Sequence, residues 1–597
     1  MKFGRLEMDP ANNPGVLDTA TWDRAAAWRA VERVADSWLE VQSASISGGA
    51  LPEVGGARSF AASRKHRGAA VFSLAALADG QQVFVEIGNG GGPGVRGIEA
   101  LGQPLGTMTL SSGVRVNAYP TDASVVHRYV TAIKPESGPQ PWGDTPRLGI
   151  GVRMTTSVWP GIYDAMSRGG FAANSIQNSV RELNLLEDIL ECRPAPKNYA
   201  CGFGTIETGY TGSTWEGLWL SGVLSALQYE SREARAPIRY GADADHIQIK
   251  RGEDGLARAK TVIDAAKYYT FYTLDMADIL DYAASSGSAA TTRGCNPLSY
   301  AQYLSDKIPN DRERRMLLAY HSEPGRFGDR TYTLDEAMIG AFVGKYWDAL
   351  RTLDALSEHI SKLKDGKPYD LEFTIDEHPP EIAAFDCLTT DEELLFVLRE
   401  IRRRGLPVTH VAPNFGQEKG YDYRCPDGLE GLERRVRGQF AIAEQFGVLL
   451  DFHSADDLTA GPRRVIQSAT GGRHHFKISP MLQLIFADVL HECHPDLFRR
   501  WWDDAMAYAR AEAEAGSAFA RQCLDAADPR SDEASADPSP SRHHMVFHHY
   551  SFRFVGRRDE QGRFLYRDEF YSLSPEFYRS YRDRIAGYLA GLAAELF

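Results

Sequence analysis

Between residues 147 and 500, short apolar runs recur. Each ends in polar side chains, and each is followed by a stretch whose apolar positions fall at helical spacing. The runs are LGIGVRM (148–154), FAANSIQ (171–177), RYGADADH (239–246), YTFYTLD (269–275), LEFTIDE (371–377), THVAPNF (409–415), VLLDFHS (448–454) and HHFKIS (474–479). DEELLFVLREIRRRG (391–405) and LERRVRGQFAIAEQFG (432–447) are typical of the amphipathic stretches between them. Eight strands alternating with helices predict an α/β chain with a (β/α)8 TIM-type barrel over 147–500. An open doubly wound sheet is the alternative that strand counting leaves standing. Residues 1–140 read differently: AVFSLAAL (70–77), QQVFVEIG (81–88) and VRVNAYP (114–120), parted by Gly and Pro turns, predict an N-terminal β-rich domain. ESGPQPWGDTP (136–146) is its linker to the barrel. The glycine cluster GNGGGPGVRG (88–97) lacks the helix of a βαβ unit and reads as a plain loop. Residues 501–597 predict a C-terminal helical extension, with a Ser-, Pro- and Asp-rich mobile loop at 527–542 and a cap rich in Tyr and Phe from about 565.

Composition narrows the function classes. At 597 residues the chain exceeds what one core fills, so two or three units are expected. The formal charge of -14 disfavours nucleic acid as a partner. The seven cysteines are odd in number and none pairs at CxxC spacing, which suits reduced thiols and a cytoplasmic location. No apolar leader or membrane-length run is present in the sequence, so no membrane association is expected. A small molecule is the expected partner, and a homo-oligomer stays open.

In such a barrel, chemistry gathers at the C-terminal ends of the strands. Four expected strand ends carry metal-ligand types: Asp243, Asp245 and His246; Glu372, Asp376 and Glu377; His453; and His474, His475 and Lys477. Side chains alternate across a strand, so phase sorts them. Glu372, Thr374 and Asp376 share an inward face opposite Phe373 and Ile375. Asp451 falls in phase with His453, and His475 with Lys477 and Ser479, while His474 points away. His246, Glu372, His453 and His475 then make an inward set suited to one divalent ion: Zn²⁺ first, with Mn²⁺, Co²⁺ or Ni²⁺ as alternatives. Each residue also has a structural reading, such as a hydrogen-bonded strand-end histidine or a helix cap in DADH. The denser cluster His543, His544, His548 and His549 follows the expected loop and reads as structural or surface.

These segments resemble the tagaturonate/fructuronate epimerase family in SVRE (179–182), GADADH (241–246), the DxxD of Asp275 and Asp278, ExxxDE (372–377), EKGxDY (418–423), FHSxxD (452–457) and SATGGxxHxK (468–477). The resemblance covers about 147–500. It implies a divalent-metal isomerase that interconverts two ketohexuronates, with His246, Glu372, His453 and His475 as ligands. Asp245, Asp376, Glu377 and Lys477 would do the acid/base work, the choice among the three carboxylates staying open. Ser179, Arg181, Asp275, Lys419 and Asp457 are the implied substrate contacts. The chain departs from the family in its longer N-terminal unit, the insert at 192–217, Leu458 in place of a lysine, and a shortened APNFGQ.

The two ketohexuronates differ at C4 in ketose numbering, whose proton no carbonyl acidifies. No strand–GxGxxG–helix unit offers a nicotinamide route, and PLP is not expected. Retro-aldol cleavage and re-addition to the opposite face is the remaining route. It uses a metal as electron sink, a carboxylate base for the C4 hydroxyl, and Lys477 or Arg181 for the substrate carboxylate. A Schiff base at Lys477 is the rival to the metal. The competing functions are a 4-epimerase of the neutral tagatose/fructose pair, a metal-dependent aldolase that releases its fragments, and a non-catalytic sugar-binding regulator.

Overall fold

Eight parallel strands close into a barrel in the computed structural model of the chain. They are β1 (Arg147–Gly151), β2 (Ala172–Ser179), β3 (Arg239–Gln248), β4 (Phe271–Asp275), β5 (Asp370–Thr374), β6 (His410–Ala412), β7 (Leu449–Phe452) and β8 (His475–Ile478), with β8 pairing back onto β1. The structure describes residues 2–3, 6–7, 24–35, 37–46, 53–54, 57–77, 82–89, 101–153, 156–180, 182–185, 199–201, 204–206, 213–229, 237–284, 299–376, 384–418, 420–453, 455–527, 545–557, 559–560, 564–570 and 572–597. All eight expected runs supply a barrel strand, so the open sheet is set aside. Several strands stop before their apolar runs do: β5 ends at Thr374 and β6 at Ala412, and loop takes over where ligand-type residues begin.

A helix follows each strand: α1 (Trp159–Gly169), α2 (Trp215–Gln228), α3 (Glu253–Ala265), α4 (Glu336–Lys364), α5 (Asp391–Arg404), α6 (Gly428–Phe446), α7 (Ala460–Thr470) and α8 (Pro480–Cys493). Their ends are written in the sequence. Thr390 and Glu393 form a capping box at the start of α5, and Gly405, at φ 67°, closes it in the left-handed conformation that glycine adopts without strain. Outward strand residues such as Leu148, Ile150, Leu371, Phe373, Leu450, Phe452 and Phe476 are buried against this helical ring.

A seven-stranded antiparallel sheet precedes the barrel, running through 53–54, 57–59, 70–77, 82–89, 114–120 and 106–109, with 65–67 at its side. Period-two alternation gives it two apolar faces. Phe72, Leu74, Phe84 and Tyr119 join the main core, whereas Val83, Val85, Ile87 and Val116 pack with Ala27, Val31, Trp38 and Val41 of the helices Arg24–Arg33 and Ser37–Ile46. After α8, helical segments run to the C-terminus. The last, Pro575–Leu596, lies along α1, where Arg582 bonds Asp164 at 2.6 Å and a Cβ on Gly161 would meet Ile585 at 2.7 Å. Of the expected loop at 527–542, Ala527 ends the helix Ala518–Ala527 and the rest lies outside the described residues. Among the described residues, no helix is long and apolar enough to cross a membrane.

The segment 136–146 seals the N-terminal end of the barrel. The Trp142 amide donates to Asp370 Oδ2 at 2.9 Å and the Gly143 amide to Oδ1 at 3.1 Å. The buried Arg147 guanidinium donates to the same carboxylate at 2.9 Å and to His410 Nε2 at 2.7 Å. Arg147→Met leaves Asp370 a buried charge without its cation. It should lower stability by about 3–5 kcal/mol, read as a lower urea midpoint. An unchanged midpoint would mean that the two amides suffice.

Candidate active site and metal centre

Above this plug, one ammonium gathers carboxylates from two strands, β3 and β5. Lys477 on β8 reaches Glu372 Oε2 at 2.6 Å, Asp245 Oδ1 at 2.9 Å, Asp243 Oδ2 at 3.1 Å and Thr273 Oγ1 at 2.8 Å. The inward positions of β1 leave room for it: a Cβ on Gly149 would stand 2.6 Å from Lys477 Cγ. Burial alone would lower the Lys477 pKa, but the carboxylates hold it well above the usual lysine range. Burial would likewise raise Glu372 and Asp245, yet Lys477 draws both below the ordinary carboxylate range. Asp243 goes the other way, pushed up by burial and by Asp245 and Glu372 beside it.

Phase places the rest. Glu372 divides its oxygens: Oε2 faces Lys477 and Thr273, and Oε1 accepts from Thr374 at 2.6 Å and stands 2.7 Å from His453 Nε2. His453 Nδ1 lies 3.2 Å from Asp376 Oδ2. Burial would lower the His453 pKa, but Asp376 and Glu372 hold it well above the imidazole range. His246 departs from strict alternation. The β3–β4 register slips between Ala244 and Ile247, and His246 takes φ 44° there, so it turns inward beside Asp245 rather than away from it. Its Nδ1 lies 3.2 Å from Asp275 Oδ2, and its ring is 4.8 Å from that of His453.

Among the described residues, two sets of ligand atoms lie within 4.8 Å of one another: Glu372, Asp451 and His453, and His410, Asp451 and His475. The expected set His246, Glu372, His453 and His475 is therefore split. His475 pairs in register with Asp451, two residues below His453, so it sits a layer deeper; its Nδ1 lies 2.8 Å from Asp451 Oδ2. The deeper set suits a cation poorly, because Arg147 already occupies His410 Nε2 and its charge stands beside the group. The upper set fits a divalent ion in donor chemistry, with two carboxylates and an imidazole. Its buried atoms His453 Nδ1 and Nε2, Asp451 Oδ1 and, next to them, Asp376 Oδ1 make no hydrogen bond.

The other expected residues scatter around the mouth. Asp245 Oδ2 accepts from Gln177 at 3.2 Å. Ser179, at the end of β2, donates its amide to Glu182 at 2.9 Å and has a buried hydroxyl without a partner. Asp275 orients His246 and accepts from the Ala277 amide at 3.1 Å. Asp278 is half exposed and bonded to Lys250, outside this network. Asp457 accepts from the Gly420 amide at 2.8 Å. Arg181, Glu377 and Lys419 lie outside the described residues. His474 faces outward as its phase predicts, with Thr470 at 2.8 Å and the ring of Phe597 at 5.3 Å, and burial pushes its pKa down to about 3.

Sequence reasoning missed Thr273, Gln177 and Arg153, and gave Asp451 a phase but no role. It also read His548 as structural or surface. That ring is buried, on the helix Met545–Tyr550, with Nε2 3.3 Å from Asp457 Oδ1. Lys477→Met strands three buried carboxylates and should cost about 3–5 kcal/mol, read as a fall in Tm of the purified protein. An unshifted Tm would show that the carboxylates are neutralised without it.

The chain has known relatives. Residues 225–591 match the family model described as tagaturonate epimerase. The tagaturonate/fructuronate epimerase of Thermotoga maritima is 28% identical over 305 residues, 49% of this chain and 54% of that protein. The chain thus spans about half the length of this curated relative. A glycerol-complexed crystal structure of the fructuronate-tagaturonate epimerase UxaE from Cohnella laeviribosi aligns over 90% of this chain and 95% of its own at 20% identity, with a TM-score of 0.59. The native structure of the same enzyme aligns over 91% and 95%, also at 20% and 0.59. At that identity the likeness speaks for the barrel fold.

Proposed function

We propose that this chain, which belongs to the tagaturonate epimerase family, is an isomerase that interconverts D-tagaturonate and D-fructuronate by inverting C4. The observation that carries the reading is the buried Glu372–His453 pair, 2.7 Å apart at the barrel mouth, with Asp451 completing a ligand set and Lys477 balancing its charge. The names of the relatives supply the substrate pair.

Glu372 and His453 would hold a divalent ion, with Asp451 and His246 as nearby donors, and the ion would supply Lewis-acid polarisation of the substrate ketone. The chain's own groups then divide the remaining work. Asp245 has both oxygens engaged, by Lys477 and Gln177, so it orients rather than accepts a proton. Asp376 stands at the edge of the set with Oδ1 unbonded, and is the better base for the C4 hydroxyl proton. Once that proton leaves, the C3–C4 bond opens with its electron pair passing to the ketone-bearing fragment. Re-addition to the other face of the aldehyde restores the bond, and Asp376 returns the proton. Lys477 does not act as an imine-forming amine, because its ammonium is enclosed by three carboxylates that keep it protonated.

Incubation of fructuronate with the purified protein, followed by NMR, should yield tagaturonate without three-carbon products. EDTA should abolish turnover and a divalent ion restore it, while His453→Ala should lose both bound metal and activity. Three-carbon products would instead mark an aldolase, and full turnover by metal-free protein would overturn the reading.

A further inference from the structure

A sugar acid needs an anchor for its carboxylate, and Lys477 cannot serve: its three protons face Glu372, Asp245 and Thr273, with the Asp243 carboxylate beside them at 3.1 Å. The inward phase of β1 points to another cation. Gly149 and Gly151 leave space filled by Lys477 and by Ser479, whose Oγ would stand 2.7 Å from a Cβ on Gly151. Arg153 is the next residue in that phase, just beyond the strand end and so at the rim above the Lys477 network. It is buried, its Nε makes no hydrogen bond, and its nearest carboxylate, Glu182, lies 3.6 Å away.

The surroundings of Arg153 are polar and unsatisfied. The hydroxyls of Ser179 and Ser479 are buried without hydrogen bonds. The His548 ring makes none either, and its Nε2 has only the Asp457 carboxylate beside it, at 3.3 Å. Asp456 feels both Arg153 and His548, so the two share one side of the mouth. Carboxylates are also present, and backbone amides serve one oxygen of each. Glu182 accepts from Ser179 at 2.9 Å, Asp456 from Met481 at 2.8 Å and Ser479 at 3.2 Å, and Asp457 from Gly420 at 2.8 Å. The groups left with unused capacity are a guanidinium, an imidazole and two hydroxyls, all able to donate, and one carboxylate oxygen, Asp456 Oδ1. That set matches a carboxylate flanked by a hydroxyl.

We propose that Arg153 binds the carboxylate of the ketohexuronate and that His548, oriented by Asp457, takes the adjacent hydroxyl, so that the C-terminal helix Met545–Tyr550 completes the substrate pocket. This assignment rests on the epimerase reading and adds the determinant that separates a uronate from a neutral ketose.

The test compares wild type with Arg153→Met, Arg153→Lys and His548→Gln for kcat and KM on fructuronate. It also compares inhibition by D-glycerate, which carries the same acid end, with inhibition by glycerol, which does not. Arg153→Met should raise KM and the glycerate inhibition constant by about 100-fold, with a smaller effect on kcat and none on glycerol inhibition. Arg153→Lys should recover about tenfold of that loss, and His548→Gln should raise KM by about tenfold. A folded Arg153→Met protein with unchanged KM and glycerate inhibition overturns the subsite; if that variant does not fold, Arg153→Lys with wild-type KM does so. Wild-type protein that fails to turn over fructuronate overturns the epimerase reading instead. Calorimetric binding of glycerate to wild type and Arg153→Met then still decides the subsite.

Discussion

A single buried ammonium organises the upper half of this barrel. Lys477 lies among Asp243, Asp245 and Glu372, which come from β3 and β5, while Lys477 itself comes from β8. Three carboxylates at such distances would repel one another by several kcal/mol in a poorly solvated interior, and the ammonium turns that repulsion into attraction. It also determines which oxygens remain for other partners. With Oε2 of Glu372 committed to Lys477, Oε1 is the oxygen that meets His453. With Oδ1 of Asp245 committed, Oδ2 turns to Gln177. The candidate metal set is thus the part of the carboxylate cluster that the ammonium leaves over.

The barrel interior is layered by charge. At the bottom, Arg147 joins Asp370 and His410, and the 136–146 segment closes the end with amides. One layer up, His475 meets Asp451, its own pKa pushed well down by burial and by Arg147 and Lys477. Above that come Lys477, Glu372 and His453. Arg147 lies at the bottom and the carboxylates cluster above it, so a divalent ion finds excess negative donors only near the mouth, where Arg147 no longer competes. This explains why two sets of similar residues, both with imidazoles and Asp451, differ in their fitness for a metal.

The strands were legible because each repeats one simple rule: apolar side chains toward the helices, polar ones inward, and a polar end. Phase then told Glu372, His453, Lys477 and His474 apart correctly. Depth was not legible. His475 and Lys477 share a face, and only the stagger between β7 and β8 reveals that His475 lies below the Glu372–His453 pair. Nor does alternation foresee His246, whose inward turn depends on a bulge and a positive φ that no local composition announces. The burial of His548 was hidden for a different reason. It sits far down the chain on a short helix, and only tertiary packing brings it against Asp457. Arg153 followed two inward glycines at period two, a signal present in the sequence but without meaning until Lys477 and Ser479 were seen to fill the space those glycines leave.

The mouth is closed by chain that the barrel itself does not require. A Cβ on Gly420 would stand 2.9 Å from Met545 Sδ and 3.0 Å from His549 Nε2, so Gly420 packs directly against the helix Met545–Tyr550. Burial of this kind matters more for an epimerase than for an aldolase. Both need a carbon–carbon bond to open, but only the epimerase must keep the released aldehyde long enough for it to present its other face. A rim that gripped the far end of that fragment through a guanidinium and an imidazole, while the ketone-bearing fragment stayed at the metal set, would separate rotation from escape. The C-terminal extension would then be part of the chemistry: it would convert a bond-cleaving barrel into one that returns what it cleaves.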